Sequence, residues 1–203
     1  MRRALIATSN PGKLRDFAGA AAEHGIAIAT LPDFDSLPTV SEDGATFEAN
    51  ARRKAEHYSR FAPAQIVLAD DSGLEVAALG GAPGVRSARY AATAAEGNAD
   101  DLANNARLLR ELTHVADRSA RFVCAIAAAR DGRTLATFRG EALGHVLQAP
   151  RGAGGFGYDP LFFVPVLGKS FAELTPEEKA AVSHRGAAFR KFLEWCDREP
   201  ADE

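Results

Sequence analysis

The sequence predicts an α/β fold built around a mixed β-sheet, and three observations carry that expectation. Short apolar runs alternate with stretches of helical periodicity, the pattern of strands and helices taking turns along one chain. Arg121 to Ala129 and Thr134 to Phe138 flank the dipeptide Asp131-Gly132. Asp-Gly is a preferred two-residue hairpin turn, so part of the sheet must be antiparallel. Finally, 203 residues of which 46% are hydrophobic suffice for one sizeable core, which predicts a single domain over residues 1–203 and excludes disorder, collagen and coiled coil.

Taken in order, Arg3 to Thr8 is an apolar run that ends in the polar turn Thr8-Ser9-Asn10-Pro11-Gly12-Lys13. Leu14, Phe17, Ala18 and Ala21 then recur at helical spacing, with Gly25 as the stop. Ile26 to Thr30 reads as a second strand, followed by a loop holding Pro32 and Pro38. From Thr46 onward, Phe47, Ala51, Ala55 and Tyr58 mark one helix face, with Asn50 and Lys54 on the adjoining stripe. Ile66-Val67-Leu68-Ala69 is a buried strand running straight into Asp70-Asp71-Ser72-Gly73 at its carboxyl end, for which a solvated turn is the alternative reading. Gly80 to Gly84 is a loop. The helix after it takes its apolar face from Leu102, Ala106, Leu109 and Leu112, capped by Asn98 or Asp100. After the hairpin, Arg151 to Pro160 is glycine-rich and Leu161 to Val164 is strand-like. Thr175, Pro176 and Glu178 form a capping box with proline at the first helical position. The last helix buries Ala188, Phe192 and Cys196 on one side.

Charge narrows the function classes. Lys and Arg total 24 against 27 Asp and Glu, a net charge of −3, so no global basic field draws the protein to nucleic acid or to an anionic membrane. Cys124 and Cys196 fit neither a disulfide framework nor a zinc site and are expected to be reduced. Only four apolar residues follow the basic start Arg2-Arg3 before polar ones, too few for a signal-peptide core. No run approaches the ~20 apolar residues of a membrane span. A cytoplasmic protein is the expectation.

Two phosphate-loop patterns fail. Gly152, Gly154 and Gly157 match G-x-G-x-x-G, but Pro160 and the strand after it remove the helix a dinucleotide fold requires. Gly12-Lys13 and Gly168-Lys169-Ser170 lack the first glycine of a P-loop, having Ala7 and Phe163 there. What remains is Thr8 to Lys13 as a strand-to-helix turn, where backbone N–H groups, the helix end and a lysine converge on an anion. Asp70-Asp71 places two carboxylates at a strand end, suited to Mg²⁺, which takes one or two carboxylates and completes its shell with water and phosphate. Only one of the two need face the site, since side chains alternate along a strand. Phe156 and Tyr158 among glycines suit stacking on a flat ligand. Ordinary caps, solvated turns and core packing are the alternative readings of each motif taken alone.

Together these segments resemble the inosine triphosphate pyrophosphatase family. The resemblance rests on six blocks in register: Thr8 to Lys13; Phe47-Glu48-Ala49-Asn50-Ala51 with Lys54; Ala69 to Leu74; Gly80 to Gly84 with Ser87-Ala88-Arg89-Tyr90; Gly154 to Pro160; and Glu173-Leu174 through Lys179 to Ser183-His184-Arg185-Gly186. It implies an elongated two-lobed fold with a long mixed sheet and a nucleotide cleft between the lobes. It also implies cleavage of non-standard purine nucleoside triphosphates (dITP, ITP, XTP) to monophosphate and pyrophosphate, with Mg²⁺ and a homodimer. Carried over residue by residue, it makes Asp71 the catalytic carboxylate and Glu42 with Asp71 the metal side. Thr8, Ser9, Asn10, Pro11, Gly12, Lys13, Lys54, Ser72 and Lys179 become phosphate or sugar contacts. Phe156, Gly157, Tyr158, Asp159, His184 and Arg185 become the base pocket. A pyrophosphatase for modified pyrimidine nucleotides and a nucleotide-sensing module without turnover are the rival functions.

Overall fold

The alternation read from the sequence becomes a single mixed sheet in the computed structural model, which describes residues 2–22, 24, 26–92 and 97–198. Strand β1 (Arg2–Ile6) runs parallel to β2 (Ile26–Thr30) on one side and to the start of β3 (Val67–Val76) on the other. Beyond that point the sheet is antiparallel: β3 pairs with β4 (Ser119–Arg130), β4 with β5 (Arg133–Val146), and β5 with the short β6 (Phe162–Val164), which pairs with β7 (Lys169–Ser170). The order across the sheet is β2-β1-β3-β4-β5-β6-β7, seven strands among the described residues. Among the described residues five α-helices flank it: α1 (Pro11–Ala22), α2 (Phe47–Tyr58), α3 (Asp101–Glu111), α4 (Pro176–Val182) and α5 (His184–Arg198).

Local chemistry explains most of the boundaries. Asn10 caps α1 by accepting from Gly12 and Lys13 N–H at 2.9 and 3.1 Å, so Pro11, with no N–H to satisfy, opens the helix. The helix thus begins inside the expected turn. Gly25, the expected stop, lies outside the described residues. Thr46 caps α2 through Ala49 N–H, and the Thr175–Glu178 capping box starts α4 as expected. Ser183 caps α5 through Gly186 N–H. Asp131 and Gly132 both have positive φ, the twist-matched geometry of a two-residue hairpin. The arms they join reach further than the sequence indicated, to Ser119 and Val146.

Two expectations are corrected. The strand does not end at Asp70-Asp71, nor do Asp70 to Gly73 form the turn of the alternative reading: β3 continues to Val76 because β4 pairs with all ten of its residues, Asp70 opposite Ile126 and Asp71 opposite Ala125. The expected apolar face of α3 holds at its C-terminal end, where Leu112 is buried and Leu109 packs against the same cluster, and fails at its start. Leu102 is 82% exposed and Ala106 is exposed, whereas the buried positions are Asn104, Asn105 and Leu108. The asparagines win because they satisfy loop backbone that would otherwise be buried unpaired: Asn104 bonds Ala88, Ala91 and Ala99, and Asn105 donates to Gly157 C=O. Asp100, rather than Asn98, is the cap.

The core has three parts. On one sheet face, Phe17 of α1 and Ala188, Phe189 and Phe192 of α5 pack on Leu68, Cys124 and Ile126. On the other, Phe47, Ala51, Ala55 and Tyr58 of α2 cover Ala69, Ala125 and Ala127. The third gathers Leu74, Leu108, Phe122, Phe162 and Phe171 at the far end of the sheet. Each fully buried large side chain contributes about 1.5–3 kcal/mol. Helix α5 lies flat on β5 at Gly140, where a Cβ would stand 2.2 Å from His184 O and 2.4 Å from Ala188 N. That contact fixes the height of the first turn of α5, whose His184 and Arg185 line a cavity beside it.

Candidate active site

Consecutive residues of a strand point to opposite faces, and β3 uses this to build two charge clusters from adjacent acids. Asp71 faces α2 and Asp70 faces α1 and α5, yet both line one cavity of about 540 Å³ together with Lys13, Lys54, Phe156 and Arg185.

On the α2 side, Lys54 Nζ lies 2.7 Å from Glu42 Oε2 and 3.9 Å from Asp71 Oδ1. Asn50, one helical turn before Lys54, donates from Nδ2 to Asp71 Oδ2 at 2.9 Å. Its own oxygen accepts Gly44 N–H at 2.7 Å, tying the loop that carries Glu42 to the same helix. Arg89 holds that loop from the other side, donating to Glu42 O at 2.9 Å. Burial pushes the Asp71 carboxyl above its ordinary range despite the lysines and Asn50. Burial also opposes the Lys54 ammonium, but Asp71, Asp70 and Glu42 outweigh it and raise its pKa. Two carboxylates already sharing one cation suit a divalent ion. Among the described residues no group of three or more His, Cys, Asp or Glu is placed to hold a metal, so water and phosphate would complete the shell.

On the other face, ion pairs of alternating sign run without a break. Lys13 Nζ meets Asp70 Oδ1 at 3.0 Å, and Asp70 Oδ2 faces Arg185 Nη2 at 3.4 Å. Arg185 Nη1 meets Asp16 Oδ2 at 2.5 Å, Asp16 Oδ1 faces Lys179 Nζ at 3.3 Å, and Lys179 meets Asp159 Oδ2 at 2.7 Å. Asp159 in turn accepts Phe156 N–H at 2.9 Å. Burial works against the Asp70 carboxylate, but Lys13, Arg185 and Lys54 hold its pKa well below the usual range. Asp159 is pushed the other way, its burial outweighing Lys179.

The glycine-rich loop closes over this chain. Phe156 packs on Gly12 so tightly that a Cβ there would be 2.5 Å from the ring, and Lys179 Nζ sits 5.0 Å from the ring centroid. Tyr158 is buried, its hydroxyl donating to Ser87 O at 2.9 Å. Gly157 is held at both ends, its N–H by Asp101 and its C=O by Asn105. His184 stacks on Phe122 with centroids 4.7 Å apart. Burial, with Arg185 and Lys179 nearby, lowers its pKa well below 6.5. His184 Nδ1 and Arg185 Nε are buried without a hydrogen-bond partner, which a bound ligand would supply.

The Ham1 family pattern matches residues 4–195. The chain belongs to the Ham1 family. It is 50% identical over 192 residues to a dITP/XTP pyrophosphatase of Acidobacterium capsulatum, covering 93% of this chain and 95% of that one. It is also 50% identical over 196 residues to a dITP/XTP pyrophosphatase of Geobacillus kaustophilus, covering 96% and 94%. The solved Ham1 protein of Staphylococcus aureus superposes with a TM-score of 0.81 at 38% identity, over 98% of this chain and all of that one. The Coxiella burnetii HAM1 protein gives 0.82 at 37%, over 98% and 100%.

Within this Ham1 chain, Thr8, Ser9, Asn10, Lys13, Glu42, Lys54, Asp71, Ser72, Phe156, Gly157, Tyr158, Asp159, His184 and Arg185 all line the one cavity. Pro11, Gly12 and Lys179 stand behind it: Gly12 under Phe156, Lys179 against Asp159. The N–H groups of Gly12 and Lys13, expected to face an anion, are already taken by Asn10. Sequence reading left Asn50, Asp16, Arg89 and Asp101 out of the site. The first two had a signal, because Asn50 lies four residues before Lys54 and Asp16 three after Lys13, the spacings that share a helix face.

Proposed function

We propose that this chain hydrolyses purine nucleoside triphosphates carrying a 6-oxo group, dITP, ITP and XTP, to the monophosphate and pyrophosphate, clearing deaminated purines from the nucleotide pool. The observation that carries the reading is the unpartnered Nε–H of Arg185, buried beside Phe156 in a cavity that also holds Lys13 and Lys54. A guanidinium is only a donor. It is satisfied by a carbonyl at purine position 6 and opposed by the N–H of adenine's amino group, and a site left with an unmatched polar group rejects the wrong base strongly. The names of the relatives described above agree with this reading.

On this reading Phe156 stacks the base, with His184 and Arg185 at its polar edge, while Lys13 and Lys54 neutralise phosphate charge, as positioned cations do in phosphoryl chemistry. The bridge between the α and β phosphates is cut, water supplies the new oxygen, and Asp71 takes the proton. Its raised pKa brings it closer to the working pH of an effective base. Asn50 donates to Asp71 Oδ2 and the Ser72 N–H to Oδ1 at 3.0 Å, which fixes the carboxylate plane and leaves each oxygen a further lone pair to accept a proton. Glu42 and Asp71 would hold Mg²⁺, which when bound supplies charge neutralisation and polarises the phosphoryl group. The need for a cation follows from the lining: Lys13, Lys54, Arg89 and Arg185 are outnumbered by Glu42, Asp70, Asp71, Asp101 and Asp159, a balance hostile to a bare polyphosphate.

We further propose that it works in the cytoplasm as a homodimer on free nucleotides, without nucleic-acid or membrane partners. The net charge of −3 is in keeping with this, and no helix among the described residues is long and apolar enough to cross a membrane. A monomeric mass at micromolar concentration would retire the dimer. The deciding experiment is product analysis with Mg²⁺ and, in parallel, dITP, XTP, dATP, dGTP and dTTP. Monophosphate and pyrophosphate from dITP and XTP, with the standard nucleotides spared, are expected. Diphosphate products or no turnover would overturn the reading.

A further inference from the structure

Asp70 is out of place in a site for a polyanion. It is 2% exposed, carries a negative charge into the cavity wall, and lies on the sheet face away from Glu42 and Asp71. Both of its oxygens are occupied: Oδ1 by Lys13 at 3.0 Å, Oδ2 by Arg185 at 3.4 Å and by the Ser72 hydroxyl at 3.3 Å. A metal ion or a proton in flight would have to displace these donors, so neither role suits it. What Asp70 does have is a unique pair of partners. Lys13 comes from the first turn of α1 and Arg185 from the first turn of α5, 115 positions beyond Asp70, and no other carboxylate among the described residues pairs with both.

We infer that Asp70 is a positioning residue that locks the Lys13 ammonium and the Arg185 guanidinium into one unit, so that reading the base and placing the triphosphate are registered to each other. The inference rests on the purine nucleotide reading above and adds a mechanism for its selectivity. A base that matches Arg185 leaves Lys13 where the phosphates need it. One that pushes Arg185 aside moves, through a single carboxylate, the cation at the phosphates. Discrimination then appears in kcat as well as in KM, because misplacement by a fraction of an ångström is felt mainly in the transition state. The link is separable from the fold. Arg185 keeps Asp16 at 2.5 Å and Ser72 at 2.8 Å when Asp70 loses its charge, and the Lys13 side chain, 17% exposed, reaches water.

The test is a double-mutant cycle with Lys13→Ala and Arg185→Lys, built once in the unaltered chain and once in Asp70→Asn, with kcat/KM for dITP and dATP and calorimetric dITP binding as readouts. Thermal melts first establish that each variant folds, and Asp70→Ser replaces Asp70→Asn if the latter does not. With Asp70 present, the two losses should depart from multiplicativity by about tenfold, as coupled neighbours do. In Asp70→Asn they should multiply within about twofold, and the dITP over dATP preference should drop about tenfold, with kcat carrying part of the loss. Multiplicative losses with Asp70 present, or equal coupling in both backgrounds, would overturn the inference while leaving the pyrophosphatase reading intact. Coupled dITP binding without any turnover would do the reverse. A purely structural role would lower the melting temperature without changing the preference.

Discussion

Asp70 and Asp71 share a peptide bond in β3, yet the pKa of one is held far below the usual carboxylate range and the other is raised above it. The difference comes from the sheet. Asp70 meets Lys13 and Arg185 on one face, whereas on the other Asp71 has the Asn50 amide at 2.9 Å and its nearest ammonium at 3.9 Å. Adjacent acids therefore behave as a fixed anion and a group able to take a proton.

Asp71→Asn is expected to lower turnover by about 10²-fold or more, the scale of a lost acid–base group. Its stability should move the other way. Because the folded chain holds the Asp71 proton to higher pH than the unfolded chain does, ionising Asp71 costs stability as pH rises past its ordinary 3.8. Melts should show Asp71→Asn at least as stable as the unaltered chain at pH 7, with the gap closing near pH 4. Near-normal turnover would remove Asp71 from the mechanism.

For Asp70 the sign reverses. A lowered folded pKa contributes stability above the unfolded value, near 3.8, that is lost as pH falls through the folded value. Asp70→Asn should cost about 3 kcal/mol at pH 7, as breaking a buried pair does. The difference should shrink steadily below about pH 4 in denaturant titrations, and a pH-independent difference would contradict the assignment.

His184 should stay neutral across the physiological range. Among the five histidines, its imidazole resonances are expected to show no titration between about pH 5 and 8, where an ordinary histidine does. Since the unfolded chain takes up that proton below about pH 6.5, His184 withdraws stability on acidification. A titration midpoint near 6.5 for His184 would be the contrary result.

Gly12→Ala should act on Phe156 more than on the fold. The added methyl would meet the ring at 2.5 Å, and the ring, being half-buried, can move outward. An overpacked contact of this kind costs about 1–3 kcal/mol, expected here as a KM increase for dITP of about tenfold or more with little change in melting temperature. A large loss of stability with unchanged KM would show that the ring is fixed.

Much of this was legible in the sequence where local chemistry decides. The Thr175–Glu178 box, the Asp131-Gly132 turn and the buried face of α2 depend on neighbours a few residues away. The course of β3 was not, because whether Asp70 to Gly73 turns or continues depends on β4, some fifty residues later. At α3 the periodicity located Leu109 and Leu112 but not the buried side of the first turns, for a similar reason: Asn104 and Asn105 are buried to satisfy loop carbonyls and an N–H that periodicity cannot see. In the site, residue types were readable but their wiring was not. Asp16 and Asp70 matter through partners more than a hundred residues distant.

The seating of α5 on Gly140 has a consequence for how the protein comes into being. Lys13 and Lys54 stand far ahead of the helix that brings His184 and Arg185, which is therefore synthesised well after them. On the ribosome, α1 and β3 emerge with Lys13 and Asp70 already able to meet, but their third partner is still missing. Contacts of such long sequence separation form late and slowly, so capacity to bind a nucleotide should appear only in the final folding step. Until then the exposed surface of β5 waits for its helix, and ligand would favour completion by binding only the finished form.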